Sequence, residues 1–299
     1  MQRKEFLSTI AGLLAMGTLG NLKAFTDGLP KQSKRMPVLF TSHGNPFDIP
    51  LTREQRPFWQ KLYELGKELK KDYDVKAAVV VSAHWCTKGT YVNIAQEQQQ
   101  IFDYYGFPEE YYKVYYQAQG APGLAKELKS IVPSIVETTD WGLDHGAWPM
   151  LMHLFPEADV PVFELSIDYY ANPQYHYELG KELKSLRDKG VLIIGSGALI
   201  HNLRLAGQKM QSNDASPYGW EIEYDLWIKD KIDKRDVESI INYESSNKLG
   251  KLAAPTPDHF VPVLYSLGLM DSKDMIEHFY EAAPALPAFS ERSFIIKNE

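Results

Sequence analysis

Short hydrophobic runs recur along this chain, and three of them end in small residues beside a histidine. The first run covers 38–42 and is followed by His43, and the second covers 77–83 and is followed by His84. The third covers 191–196, and His201 follows it after a Gly-Ser-Gly segment. Short β-branched runs bounded by glycine or proline are typical of buried strands. The pattern therefore predicts three strands that each deliver a histidine.

Amphipathic helical patterns separate these strands. The clearest covers 53–72, where Phe58, Leu62, Leu65 and Leu69 share one helical face. Further strands are predicted at 91–95 and 162–167, and further helices at 123–132, 146–154, 173–189, 216–234 and 257–267. This alternation predicts an α/β fold in which a central mixed sheet carries helices on both faces. Ligands bind at the carboxyl ends of strands in such sheets, so we expect the three histidines to build a metal site or an acid–base site there.

The composition limits the domain count and the partners. The chain has 299 residues without an internal repeat or a linker-like segment, which favours a single domain. Its formal net charge is −7, and lysine and arginine are scattered along it, which argues against a nucleic-acid partner. Its one cysteine, Cys86, excludes an internal disulfide framework. The oligomeric state is left open by the sequence.

The N-terminal segment is a separate matter. Arg3 and Lys4 precede an apolar stretch at 10–19, which resembles a secretory or twin-arginine export signal. This stretch is too short for a membrane span, so we expect no stable membrane insertion. We assign 1–35 to a signal-like or flexible segment and 36–299 to the catalytic domain. The protein is periplasmic if this segment is cleaved and cytoplasmic otherwise, the alternative being an amphipathic helix on the domain.

Five of the eight histidines lie in turn-forming sequence at the ends of predicted elements. A lone histidine is most often a capping or core residue, but five in such positions indicate a site. These five are His43, His84, His145, His201 and His259. The other three, His153, His176 and His278, lie in helical or acidic surface patterns and are not candidates.

The chemistry of imidazole makes a mononuclear metal site the simplest function for this set. Three imidazoles suit a catalytic Zn²⁺, whereas non-haem Fe(II) oxygenases more often use two histidines and a carboxylate. The nearby carboxylates are Asp144, Asp258 and Glu164. Asp258 is a candidate ligand or an acid that favours a helix N-terminus, and Asp144 is a candidate for orienting His145. The residues alone do not name the metal.

Five short motifs occur in an order that is specific when they are taken together. They are SHGNP at 42–46, VSAHW at 81–85, WGLDHG at 141–146, GSG at 195–197 with HNLR at 201–204, and PTPDHF at 255–260. The chain thereby resembles the class III extradiol ring-cleaving dioxygenases, the LigB-like superfamily that includes the DOPA-dioxygenase type. The resemblance runs from about residue 36 to about residue 269, and it is greatest to the bacterial 4,5-DOPA dioxygenase branch.

The resemblance implies a role for each histidine. His43, His84 and His259 would bind one divalent ion per chain, Fe(II) for dioxygenase activity or Zn(II). His201 would be the acid–base residue, and His145 would line the substrate pocket. The implied reaction is metal-dependent insertion of O₂ next to the diol of a catecholic, DOPA-like substrate. An imidazole suits the proton transfers because its ordinary pKa lies near neutrality.

The chain differs from members of this family at two positions, and two other functions are compatible with the same histidines. Protocatechuate-cleaving relatives carry a glutamate where His259 stands, and relatives commonly carry a histidine where Phe102 stands. A three-histidine site also suits a zinc-dependent hydrolase or lyase. A non-catalytic metal-binding protein is the second alternative, and the retention of His201 and His145 argues against it.

The sequence also suggests which residues surround the substrate. Asn202 is a candidate donor to the substrate oxygens, and 195–197 is expected to turn tightly so that His201 reaches the site. An aromatic wall is expected from Tyr104, Tyr105, Phe107 and Trp148.

Overall fold

A computed structural model describes residues 31–281 and 286–298 of the chain. Its strands are β1 (Val38–Thr41), β2 (Ala77–Thr87), β3 (Tyr91–Asn93), β4 (Val136–Thr138), β5 (Val162–Asp168), β6 (Val191–Ser196), β7 (Asp274–Tyr280) and β8 (Ser293–Asn298). Its α-helices are α1 (Pro57–Asp72), α2 (Pro122–Ile131), α3 (Trp148–Leu154), α4 (Pro173–Glu182), α5 (Lys184–Arg187), α6 (Leu203–Gln211), α7 (Gly219–Asp233), α8 (Val237–Ile241), α9 (Tyr243–Ser246), α10 (Gly250–Ala253) and α11 (Pro262–Gly268). Short 3-10 helices lie at Pro46–Asp48 and Glu109–Tyr112.

The eight strands form one mixed sheet in the order β4-β3-β5-β2-β6-β1-β8-β7. The central strands β5, β2, β6 and β1 are parallel, while β3 runs antiparallel to β5 and β8 antiparallel to β1. The predicted single α/β domain with a mixed sheet is therefore confirmed. Because β6 lies between β1 and β2 in parallel, the carboxyl ends of the three predicted histidine-bearing strands share one edge of the sheet.

Side chains of the central strands alternate between two hydrophobic cores. In β2, Ala77, Val79 and Val81 face one core, while Ala78 and Val80 face the other. Helices α1 and α3 cover the second core, and α2, α4, α7 and α11 cover the first. Strands buried on both faces give continuous apolar runs rather than alternation. This is why the sequence pattern identifies them.

Strands β4, β7 and β8 are not predicted by the sequence pattern, and β4 and β7 are the two edge strands of the sheet. Strand β4 is short and partly exposed, and β7 mixes acidic, apolar and histidine side chains that are mostly half-buried. Strand β8 pairs antiparallel with β1, which no local pattern encodes. Edge strands carry a weaker hydrophobic signal because only part of their surface is covered.

Several predicted boundaries need correction, and the helix predicted at 53–72 begins at Pro57. The helix predicted at 257–267 begins at Pro262, because the residues before it form a turn in which Phe260 and Val261 donate to the Pro257 carbonyl. The helix predicted at 173–189 is interrupted at Leu183 and continues as α5. Strand β2 continues through an irregularity to Thr87, so His84 lies within it.

The export signal predicted for the N-terminus lies outside the described residues. Of 1–35, residues 31–35 are described and contact the domain near α5. The backbone NH of Gln32 donates to the Asp188 carbonyl at 2.7 Å, and Arg35 Nε lies 3.2 Å from the Asp188 carboxylate. Among the described helices, none is long and apolar enough to cross a membrane.

Gly66 allows α1 to approach α3 closely. A Cβ on Gly66 would lie 1.8 Å from the Leu154 carbonyl oxygen, whereas a Cβ on Gly207 in α6 would meet no atom within 4 Å. We expect Gly66→Ala to lower the free energy of unfolding by about 1–3 kcal/mol through overpacking. Gly207→Ala, the matched control, should be neutral or stabilising by up to about 1 kcal/mol. Urea unfolding of both variants measures the difference, and equal stabilities would contradict this packing.

Candidate metal centre

The five candidate histidines converge at the carboxyl edge of the sheet. His43 follows β1, His84 lies late in β2, and His201 follows β6. His145 comes from the loop before α3 and His259 from the turn before α11. All five line one cavity of about 830 Å³. The expectation that the strand ends build one site is therefore met by the geometry.

His43, His84 and His259 form a nearly equilateral triangle of imidazoles. The distance between ring centroids is 4.9 Å for His43 and His84, 4.9 Å for His84 and His259, and 5.3 Å for His43 and His259. His145 and His201 flank this triangle. The His145 ring centroid lies 3.7 Å from that of His84, and His201 stacks on His259 at 3.5 Å.

The ring nitrogens of the triangle are oriented by neighbours behind them. His43 Nδ1 lies 2.9 Å from the Ser196 hydroxyl, and His259 Nδ1 contacts the Asp258 carboxylate. The Nε2 atoms of His43 and His84 lie 3.2 Å apart. Two nitrogens bound to one Zn²⁺ at ~2.0–2.1 Å lie about 3.3 Å apart in tetrahedral geometry. The spacing of these two donor atoms therefore fits a single divalent ion.

The side-chain atoms that could bind a metal form two groups, within each of which all atoms lie within 4.8 Å of one another. Neither group is the predicted ligand set of His43, His84 and His259. One group is His43, His84 and His145, and the other is His201, Asp258 and His259. Five imidazoles thus surround the same volume. The structure brings the predicted residues together, and the choice of three ligands among them stays a prediction.

Burial keeps most of these imidazoles neutral. It lowers the pKa of His43 and His259 well below the ordinary value, and the neighbouring histidines lower them further. Burial also lowers the pKa of His145, and it lowers the pKa of His201 to about 4. Burial acts in the same direction on His84, but a hydrogen bond to Asp103 and nearby carboxylates raise its pKa overall. Neutral imidazoles are the form that binds metal ions.

Asp103 is the site residue that the sequence analysis missed. Its carboxylate lies against both His145 and His84, at 2.7 Å and 3.1 Å from the two Nδ1 atoms. Asp144, which we expected to orient His145, instead accepts hydrogen bonds from the Ser82 hydroxyl and the Gly146 backbone NH. The only signal for Asp103 is its place in the segment 101–108, whose aromatic residues were the reason to expect it near the substrate.

The glycines around Ser196 serve close packing against the turn that carries His259. A Cβ on Gly197 would lie 2.2 Å from the His259 carbonyl oxygen, which accepts a hydrogen bond from the Ala198 NH at 2.8 Å. Gly195 faces Pro262 in the same way, at 2.5 Å. The segment therefore positions His259, whereas we expected it to position His201.

The aromatic wall expected around the substrate is not found. None of its four members lines the cavity in the described part of the chain, where Phe289 is the aromatic lining residue apart from the histidines. Trp148 is fully buried beneath Ile101, Tyr105 is 91% exposed, and Tyr104 packs behind His145. These aromatic residues therefore belong to the hydrophobic core or to the protein surface and not to the cavity wall.

The remaining sequence candidates also have structural partners. Asn202 lines the cavity, but its side chain caps α6 by accepting from Leu205 NH and donating to the Leu252 carbonyl. Glu164 is buried and accepts from the Asp144 NH, away from the imidazoles. The three excluded histidines lie elsewhere: His153 stacks on Trp59, His176 contacts the Tyr265 hydroxyl, and His278 contacts Asp233.

The chain is similar to proteins of known class. Residues 37–288 match the family model described as the catalytic LigB subunit of aromatic ring-opening dioxygenase. The chain is 37% identical over 250 residues to the 4,5-DOPA dioxygenase extradiol of Escherichia coli K12, covering 82% of this chain and 89% of the relative. It is 36% identical over 236 residues to the 4,5-DOPA dioxygenase extradiol of Beta vulgaris, covering 77% and 85%.

A solved structure shares the fold. The crystal structure of an uncharacterized protein from Escherichia coli K12 superposes with a TM-score of 0.74 at 32% identity, over 88% of this chain and all of the other. The matched family model covers all five cavity histidines. This chain therefore belongs to the LigB family of aromatic ring-opening dioxygenases and is an oxidoreductase of that family.

Proposed function

We propose that the protein is an extradiol dioxygenase that inserts O₂ into the ring of a catechol next to its diol. The observation that carries this proposal is the triangle formed by His43, His84 and His259, flanked by two further imidazoles in one cavity. A metal-binding site alone needs no more than the triangle. The two flanking imidazoles supply the groups that proton transfer to and from a catechol requires.

In this proposal His43, His84 and His259 hold one divalent ion, Fe(II) for the dioxygenase reaction. When bound, the ion supplies Lewis-acid chemistry and a template for the catechol and O₂. His201 lines the cavity and its ring stacks on that of His259, so it is placed to accept a phenolic proton from the substrate and return it later. His145 presents its Nε2 to the cavity because Asp103 occupies its Nδ1.

The cavity has room for a substrate with a side chain and carries cations for an acidic one. Its volume of about 830 Å³ exceeds what a bare catechol ring requires. Arg204 and Lys251 line it together with the imidazoles. Lys251 also contacts the Glu244 carboxylate at 2.9 Å, so Arg204 is the main candidate to pair with a substrate carboxylate. These residues favour a DOPA-like catechol that bears a carboxylate.

The alternative function is a zinc-dependent hydrolase or lyase. It is favoured by the all-imidazole triangle, which is a donor set that also holds catalytic Zn²⁺. The deciding experiment loads the metal-free protein with Fe(II) or Zn(II) under anaerobic conditions and adds oxygen with L-DOPA, dopamine or 4-methylcatechol. We expect stoichiometric oxygen uptake and a yellow ring-opened product with Fe(II) alone. No oxygen uptake with any catechol would overturn the proposal.

The first prediction at the site concerns the ligands. His43→Ala, His84→Ala and His259→Ala should each lose most of the bound metal, because each removes one of three protein donors. His278→Ala is the control, since His278 lies on β7 outside the cavity. Metal content per folded chain measures the effect, and full occupancy in any of the three variants would remove that residue from the ligand set.

The second prediction concerns His201. His201→Gln should retain the metal and still bind catechol, since the proposed ligands remain. Its kcat should fall by about 10²–10⁴-fold, which is the usual contribution of a positioned acid–base group. A near-normal kcat per bound metal together with a lowered Tm would contradict this role. His201 would then only stabilise its own segment, whose backbone NH donates to the Ala253 carbonyl.

We also propose that the N-terminal segment is an export signal and that the mature protein is periplasmic. This rests on the basic and apolar order of residues 3–19. Protein recovered from its native cell should then lack about the first 25 residues. N-terminal sequencing measures this, and an intact Met1 or Gln2 would contradict export.

A further inference from the structure

The segment that carries Asp103 is fixed to the wall of the site. The Ile101 NH donates to the Leu143 carbonyl at 2.8 Å, and the Trp148 indole NH donates to the Ile101 carbonyl at 3.2 Å. On the other side, the Tyr104 hydroxyl donates to the Tyr111 carbonyl at 2.8 Å. These bonds hold the backbone of Asp103 beside the loop of His145.

The carboxylate of Asp103 contacts two imidazoles and one backbone amide. Its Oδ1 accepts from the His145 backbone NH at 2.8 Å, and its Oδ2 accepts from His145 Nδ1 at 2.7 Å. The same Oδ2 lies 3.1 Å from His84 Nδ1. One oxygen thus meets the Nδ1 atoms of both rings, whose centroids are 3.7 Å apart.

This arrangement fixes the tautomer of both rings. An ionised carboxylate only accepts hydrogen bonds, so each Nδ1 that faces it carries the proton. The Nε2 atom of each ring is then left with a free lone pair. In His84 this atom faces His43 Nε2, at 3.2 Å, where the proposed metal donors meet.

We propose that Asp103 is a positioning residue that couples a metal ligand, His84, to the substrate-facing His145 by holding both rings in the Nδ1–H tautomer. A carboxylate behind a metal-bound imidazole fixes its orientation and raises its basicity as a ligand. Here the same carboxylate also orients the neighbouring imidazole. The assignment of His84 as a ligand and of His145 to the substrate rests on the proposed function.

The other carboxylates near the site do not take this role. Asp144 is engaged with Ser82 and Gly146, and Asp258 contacts His259. Glu164 bonds to the backbone of Asp144. Among these carboxylates, Asp103 is the one whose oxygens meet the Nδ1 atoms of two imidazoles and a backbone NH, as tautomer control requires.

The test uses the full chain and Zn²⁺ as the probe. Asp103→Asn preserves the shape of the side chain but leaves one acceptor oxygen where there were two. We expect its Zn²⁺ affinity, measured by competition with a chelator, to fall by about 10–100-fold. Asp140→Asn is the matched control, because Asp140 is exposed and its side chain makes no hydrogen bond among the described residues. It should bind Zn²⁺ like the wild type.

A second measurement needs no variant. Histidine-selective ¹⁵N NMR of the Zn²⁺-loaded wild type should show His84 and His145 as Nδ1–H tautomers, with His84 bound through Nε2. An Nε2–H tautomer for His145, or an unchanged Zn²⁺ affinity in folded Asp103→Asn, would overturn the proposal. Neither readout depends on turnover. Wild-type protein that binds Zn²⁺ but fails to cleave catechols would therefore contradict the proposed function alone.

Discussion

The site depends on the register in which β1 and β2 pair with β6. Thr41 of β1 and Ser82 of β2 both lie opposite Ser196 of β6, so the three residues form one row across the sheet. His43 and His84 each follow this row by two residues. A shift of one residue in either pairing would turn the histidine to the opposite face. The backbone hydrogen bonds of three buried strands therefore set the spacing of two imidazoles before any ligand is present.

The position of His259, the third imidazole of the triangle, is set by the packing of its loop onto the row that contains Ser196. Because Gly195 and Gly197 have no side chains, the turn that carries His259 and the first residue of α11 can approach β6 closely. The His259 carbonyl then accepts a hydrogen bond from the Ala198 NH. Ser196 lies between the two glycines, and its hydroxyl contacts His43 Nδ1. The same short segment thus positions one imidazole by a backbone bond and another by a side chain. A larger residue at Gly197 would displace His259 rather than strain a turn.

The sequence predicts what local chemistry encodes and misses what long-range contacts decide. The buried strands and their histidines are visible because apolar runs and turn residues are local signals. The role of Asp103 cannot be predicted from the sequence, because its partners His84 and His145 lie on chain segments that come together only in the folded protein. The expected partner of His145 was its neighbour Asp144, yet adjacency in sequence does not make two side chains face each other. The aromatic segment was misplaced for the same reason, since aromatic residues fit a core and a pocket equally well.

Charge is distributed differently at the two ends of the sheet. At the amino end of β6, the guanidinium of Arg187 and the carboxylate of Asp274 are fully buried and lie 2.6 Å apart, so this pair compensates itself. At the carboxyl end, the carboxylates of Asp103 and Asp258 face the Nδ1 atoms of imidazoles. Burial lowers the pKa of His43, His145 and His259, so these rings carry no positive charge. Negative charge behind neutral rings favours a cation in front of them. The carboxyl edge thus has the charge distribution that suits a bound cation, whereas the charges buried at the amino edge neutralise each other.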